Sequence, residues 1–125
     1  MTATGHASLI KVFSQADFDD FARLSGDDNP IHTDPAFCAG TRFGRPVAHG
    51  LLLCSVLRGL IDNLLPGRTL SEQAVMFPAP TYADEPVNFT ITMSDTGQGC
   101  FDLELEVKRL DDDVVTCQGT ARVCP

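Results

Sequence analysis

The sequence predicts an α+β fold in which an antiparallel sheet wraps one long buried helix. Two observations carry that expectation. From Gly50 to Leu65 the chain is apolar almost all round, with Leu51, Leu52, Leu53, Cys54, Val56, Leu57, Leu60, Ile61, Leu64 and Leu65 leaving scarcely any polar face. A helix of that kind is buried on nearly all sides. The chain then changes to a period of two. Val87, Phe89, Ile91 and Met93 alternate with polar residues, as do Phe101, Leu103, Leu105 and Val107, and then Val115, Cys117, Gly119, Ala121 and Val123. Period-two alternation marks half-buried strands, here joined by turns at 95–99 and 111–113. A helix buried on all sides and followed by such strands needs a sheet curved around it.

The remaining elements follow in chain order. Leu9 to Phe13 reads as a short strand. Ser14 opens a helix, with Asp17 three residues on in capping-box spacing. Phe18, Phe21, Ala22 and Leu24 give that helix its apolar face, and Gly26 ends it. Residues 27–35 hold two prolines and read as a loop. A short helical turn is expected over 35–39, with Asp34 as its cap. Residues 40–46 are loop again, the long helix stops at Pro66-Gly67, and 69–77 is a weaker strand.

Bulk properties narrow the function. With 125 residues, of which 43% are hydrophobic, residues 1–125 are expected to form one domain. So small a core makes association with a second copy unsurprising. The net charge of −8 and nine scattered basic residues argue against nucleic acid or an anionic membrane surface as the main partner. The five cysteines, Cys38, Cys54, Cys100, Cys117 and Cys124, form no CxxC pair and no zinc-site spacing with histidine. An odd count, with no secretory leader at the start, predicts reduced thiols in a cytoplasmic protein. No apolar stretch is long enough to span a bilayer.

Two clusters could carry chemistry. Asp27, Asn29 and His32 lie within one run, Ser25-Gly26-Asp27-Asp28-Asn29-Pro30-Ile31-His32-Thr33-Asp34. A carboxylate and an imidazole this close can act as a general acid–base pair. The same residues can equally form an Asx turn before Pro30, with His32 bonded to a carbonyl. The second cluster is Val47-Ala48-His49-Gly50 at the start of the long helix. The first N–H groups of a helix lack intrahelical partners and can hold a developing oxyanion. Gly50 has no side chain to obstruct approach, although smallness for packing would explain it as well.

The run from Ser25 to Asp34, followed by Phe43-Gly44-Arg45-Pro46-Val47-Ala48-His49-Gly50, resembles the MaoC-like, (R)-specific enoyl-CoA hydratase family. The pattern there is Asp, then Asn-Pro-Ile/Leu-His, then Asp-Pro, then Arg-Pro-x-x-His-Gly entering a long helix. The similarity continues through Phe77-Pro78-Ala79-Pro80-Thr81-Tyr82-Ala83-Asp84 and so covers nearly the whole chain. The resemblance implies a hot dog fold and a homodimer made by joining two sheets edge to edge, with the thioester bound near the subunit interface. It implies syn addition of water to a trans-2-enoyl-CoA, with Asp27 and His32 catalytic and no metal or organic cofactor. It places Gly50 at the backbone N–H that holds the thioester carbonyl, and Asn29 at a position supporting the site. Its alternatives are a dehydratase acting on acyl carrier protein and a non-catalytic acyl-binding subunit. A subunit without chemistry has no reason to keep both Asp27 and His32. A hot dog thioesterase usually presents a carboxylate from the central helix, and Gly50 to Leu57 offers none.

Five further residues are weighed. His49 is expected to hold its turn by hydrogen bonding, and His6 is given no role in an N-terminal segment expected to be mobile. Arg42 and Arg45 are candidates for CoA phosphates or plain solvated arginines. Arg58 lies eight residues beyond Gly50, where some family members have a small residue lining the acyl pocket. It either points into that pocket or pairs with Asp62 four residues on.

Overall fold

The computed structural model describes residues 3–125, with side chains described from Gly5 onward. The elements are β1 (Ala3–Lys11), α1 (Gln15–Ser25), α2 (Pro30–Thr33), α3 (Pro35–Ala39), α4 (Gly50–Leu64), β2 (Thr69–Met76), β3 (Val87–Asp95), β4 (Phe101–Arg109) and β5 (Val115–Cys124). The five strands form one sheet in the order β1-β3-β4-β5-β2, every pair antiparallel. Helix α4 lies on its inner face through Leu53, Leu57 and Ile61, spaced four residues apart as one helix stripe requires. They meet Val87, Phe89 and Ile91 of β3, Leu103, Leu105 and Val107 of β4, and Cys117, Ala121 and Val123 of β5. No helix among the described residues is long and apolar enough to cross a membrane.

Several expectations are corrected. The first strand is not confined to 9–13. β1 starts at Ala3 and pairs along β3, so His6 sits in the sheet opposite Thr92. Residues 27–35 are not simply loop, because Pro30 begins the single helical turn α2. Proline is tolerated at the first helical position, where its missing N–H would have no partner anyway. Leu24 is not on the buried face of α1, being 83% exposed. Helix α4 is buried on one side only, and Leu51 remains 69% exposed.

The thiols are corrected too. Cys100 and Cys124 form a disulfide, leaving Cys38, Cys54 and Cys117 free. Spacing in sequence hides this pair, which are 24 residues apart. Register exposes it: Phe101 pairs with Val123 across β4 and β5, so the next residues outward face each other.

The alternation in β5 is also broken. The β4–β5 register shifts between Val107 and Lys108, Val107 opposing Cys117 and Lys108 opposing Val115. Thr116 is the extra residue of this bulge and is fully buried, its Oγ1 donating to the Val107 carbonyl at 3.5 Å.

Candidate active site

Three loops converge at the N-terminus of α4. The first leaves α1. Ser14 and Asp17 close the capping box at its start, and Gly26 ends it in the left-handed conformation (φ 80°), which delivers Asp27 to the loop. Two one-turn helices follow, each opened by the same device. Asn29 caps α2 by accepting the Ile31 N–H at 3.1 Å, with Pro30 at the first position. Asp34 caps α3 by accepting the Ala36 and Phe37 N–H groups, with Pro35 at the first position. The side chain of Asn29 is thereby spent on ordering the loop between Asp27 and His32.

His32 is held on several sides. Its Nδ1 lies 2.7 Å from the Val47 carbonyl, which can only accept, so Nδ1 carries the proton and Nε2 is the open nitrogen. The Val47 N–H donates back to the Ile31 carbonyl at 3.1 Å, and the Gln15 amide donates to the His32 carbonyl at 2.9 Å. Nε2 faces Asp27 Oδ2 at 3.7 Å, too far for a direct hydrogen bond and close enough for one oxygen atom to contact both. The two partners differ in exposure. The His32 side chain is 14% exposed, and that of Asp27 is 56% exposed.

His49 positions this pair. It is buried, its Nε2–H donates to the Asp27 carbonyl at 2.9 Å, and its ring stacks on His32 with centroids 3.7 Å apart. The edge of its other side meets Phe21, with centroids 4.9 Å apart. Burial lowers its pKa and the neighbouring His32 adds to this, against the opposing pull of the Asp27 carbonyl and carboxylate. Burial thus biases His49 toward the neutral form, with Nδ1 left unpartnered among the described residues. One potential ligand atom from each of Asp27, His32 and His49 falls in a cluster within 4.8 Å. The two imidazoles are only 22° from parallel, and a ring nitrogen's lone pair lies in its ring plane. Both histidines therefore cannot point at one ion, and the cluster suits proton transfer better than metal binding.

Gly50 is the first residue of α4. His49, at the cap position, makes no side-chain cap bond, so the leading N–H groups of the helix are not consumed by one. A Cβ on Gly50 would stand 2.8 Å from Cζ of Phe77. Gly50 and Phe77 open onto a cavity of about 490 Å³, which also touches Arg42, Val47, Leu53, Thr81 and Thr116 but neither Asp27 nor His32. The third loop, following β2, is tied to the second by the Ala48 N–H donating to the Thr81 carbonyl at 2.8 Å, and by the Tyr82 hydroxyl donating to the Phe43 carbonyl at 3.0 Å.

The family described as "MaoC like domain" matches residues 3–114. The chain belongs to the MaoC-like family. Among MaoC-like relatives, it is 40% identical over 90 residues to the (R)-specific enoyl-CoA hydratase of Aeromonas caviae, covering 70% of this chain and 67% of that protein. It is 33% identical over 90 residues to the protein of the same name from Rhodospirillum rubrum, covering 70% of this chain and 62% of that one. The solved structure of the A. caviae (R)-hydratase involved in PHA biosynthesis superposes with a TM-score of 0.90 at 31% identity, over 99% of this chain and 96% of that one. The sheet wrapped on α4 is thus the hot dog fold of MaoC-like proteins.

The structure brings together Asp27, Asn29, His32 and the start of α4 at Gly50, which sequence reading had singled out in two separate segments. It does not bring Arg58 to the cavity at Gly50. Arg58 Nε pairs with Asp62 Oδ1 at 3.1 Å on the surface of α4. Arg45 pairs with Glu85 at 2.5 Å and lies 4.1 Å over the Tyr82 ring, whereas Arg42 lines the cavity. Sequence reasoning missed Phe77, Thr81 and Thr116. The pattern at Phe77-Pro78-Ala79-Pro80 was visible, but nothing in it shows that the ring would lie against Gly50.

Proposed function

We propose that this chain is an (R)-specific enoyl-CoA hydratase, adding water reversibly to trans-2-enoyl-CoA to give the (R)-3-hydroxyacyl-CoA. The observation that carries the reading is the open His32 Nε2 facing the Asp27 carboxylate across 3.7 Å, beside the side-chain-free start of α4. A water between the two acceptors is aimed by both. Its oxygen attacks C3 as one O–H bond breaks, and the proton taken up by the dyad is delivered to C2. Atoms balance: C3–O and C2–H form, and the C2=C3 π bond and one water O–H bond are lost. Delivery from the same groups that hold the water makes the addition syn. Charge moves onto the thioester oxygen as an enolate, which the N–H at Gly50 stabilises. No step requires a metal or an organic cofactor.

The test follows loss of enoyl thioester absorbance on crotonyl-CoA. Asp27→Asn and His32→Gln should each lose about a hundredfold or more in kcat, the scale of one acid–base group. Their melting temperatures should stay close to the parent. Because both act on one transition state, the double variant should lose far less than the product of the single losses. Near-full activity in either folded single variant would return this loop to the role of an Asx turn.

We also infer a homodimer, with residues 1–125 as its one repeated domain. Its supports are the unpaired outer edges of β1 and β2 and the exposed apolar residues Leu51, Met76 and Phe77 near one of them. Sedimentation at micromolar concentration should give twice the chain mass, and a monomer mass would remove the inference.

A further inference from the structure

The turn that carries His32 is held from outside. A helix of four residues has little stability of its own, because one turn does not offset the cost of nucleating it. The four carbonyls from Asn29 to His32 are all bonded. Two bonds are local: Asn29 accepts the His32 N–H and Pro30 accepts the Asp34 N–H, each at 2.9 Å. The other two come from elsewhere in the chain. The Ile31 carbonyl accepts the Val47 N–H at 3.1 Å, with the Cys38 thiol 3.2 Å from the same oxygen. The His32 carbonyl accepts the side-chain amide of Gln15 at 2.9 Å. Among the described residues, Gln15 alone donates to the carbonyl of His32 itself.

Gln15 is well placed to act as an anchor. It is the first residue of α1, set there by the Ser14–Asp17 capping box, and α1 is seated in the core by Phe18 and Ala22. Its Nε2 also donates to Asp19 Oδ1 at 3.1 Å, one helix turn on. A carboxylate and a backbone carbonyl both only accept, so the NH2 end of the amide must face both of them. The amide thereby ties a marginal turn to a packed helix. The His32 ring needs such a tie. Its Nδ1–H reaches the Val47 carbonyl at 2.7 Å, which keeps Nε2 an acceptor toward Asp27. A free imidazole prefers its proton on Nε2. If the His32 backbone drifts from Val47, the proton moves there, and the open acceptor becomes a donor that cannot take a proton from water.

We propose that Gln15 is a positioning residue for His32: its amide holds the His32 backbone so that the ring keeps Nδ1–H on Val47 and Nε2 open toward Asp27. The inference rests on the hydratase reading and adds a residue, 17 positions away in sequence, that sets the tautomer on which the reaction depends. Gln15 touches neither Asp27 nor the start of α4 through its listed bonds, so it acts through His32 alone. The stacked ring beside it supplies an internal reference. His49 donates from Nε2 to the Asp27 carbonyl, so the two neighbouring imidazoles carry opposite tautomers, and the one on His49 owes nothing to Gln15.

Two measurements test this, steady-state hydration of crotonyl-CoA and histidine nitrogen-15 spectra at alkaline pH, with His32→Gln assigning the His32 signals. The parent should show His32 protonated on Nδ1 and His49 on Nε2. Gln15→Met keeps the length of the side chain and removes the donor. It should lower kcat about threefold to tenfold, the scale of one hydrogen bond, with KM little changed. The His32 signals should move toward the Nε2–H form while those of His49 stay. Gln15→Lys, which can donate to the same two oxygens, should restore most of the kcat and the Nδ1–H signal. Should Gln15→Met fail to fold, Gln15→Glu, with the same reach and no hydrogen to give, answers in its place. Asp19→Ala is the control, because it removes the neighbouring bond within α1 and spares the one to His32. The proposal is overturned if the donorless variants keep the parent's kcat and His32 tautomer. It is also overturned if Asp19→Ala loses as much kcat as Gln15→Met, because the effect would then run through the stability of α1. A parent inactive on every enoyl-CoA would instead remove the hydratase reading, and the tautomer spectra would still decide what Gln15 does.

Discussion

Gly50→Ala tests the geometry at the helix start most directly. The added methyl would lie 2.8, 2.9 and 3.2 Å from Cζ, Cε2 and Cε1 of Phe77. Carbon atoms settle at about 3.5–4.0 Å, so the ring must retreat by roughly 0.7 Å or more. Overpacking typically costs about 1–3 kcal/mol, and replacing a helical glycine by alanine returns about 0.5–1 kcal/mol. The net destabilisation should therefore be about 0–2.5 kcal/mol, a fall of no more than about 10 °C in Tm. Activity should suffer more. Loss of one oxyanion donor costs about a hundredfold to a thousandfold in kcat, and a methyl beside the N–H should take at least a tenfold share of that. Hydration of crotonyl-CoA and differential scanning fluorimetry are measured on Gly50→Ala and on Gly50→Ala/Phe77→Ala. Removing the ring should restore Tm without restoring kcat. Full kcat in folded Gly50→Ala would show that Gly50 is small for packing alone, and the oxyanion assignment would fall with it.

Two further outcomes follow from the structure. Thiol titration of the unfolded, unreduced protein should find three thiols, and five after reduction; the bridge between Cys100 and Cys124, 24 residues apart, should stabilise by up to about 3.5 kcal/mol on the chain-entropy estimate. A count of five before reduction would contradict the pairing. His49 supplies a pH dependence. Its folded pKa lies below its unfolded value, so the unfolded chain binds the proton more readily, and stability present above about pH 6.5 is lost as pH falls through and below that value. Denaturant midpoints from pH 7.5 to 5 should fall less steeply in His49→Gln than in the parent, and parallel slopes would show that His49 does not titrate against burial.

Much of the fold was legible because local and global signals agree. Ser14, Asp17 and Gly26 fix α1 by chemistry that acts within a few residues, and period-two alternation fixes β3 and β4. Two of the failures share a cause. Thr116 breaks the alternation of β5 through a register shift against β4, which only the paired strand reveals. The Cys100–Cys124 bridge likewise needs the register before it can be seen. Helix α2 was lost by treating Pro30 as a breaker, although Asn29-Pro30 is the same cap-and-first-turn device as Asp34-Pro35, which was recognised. At the site, Asp27, His32 and Gly50 were legible as residue types, but their relation was not. The Val47 carbonyl that fixes the His32 tautomer is 15 residues away, and the His49 ring that stacks on it is 17 residues away.

The four helix starts show how stability and function diverge here. Ser14, Asn29 and Asp34 each give a side-chain oxygen to the N–H groups of the helix they precede. The longest helix, α4, has His49 in that place and receives no such bond. A good cap is worth about 1 kcal/mol, so the helix that needs most from its N-terminus forgoes a gain the three shorter ones take. The His49 ring is turned away from the cap to carry Asp27 on its Nε2–H and His32 on its face. One side chain thus declines to cover the first N–H groups and sets the spacing of Asp27 and His32. The loss is offset by packing, since Leu53, Leu57 and Ile61 anchor the helix into the sheet without help from its end. With α4 anchored through its body, its first turn is left open for the oxyanion role proposed for Gly50.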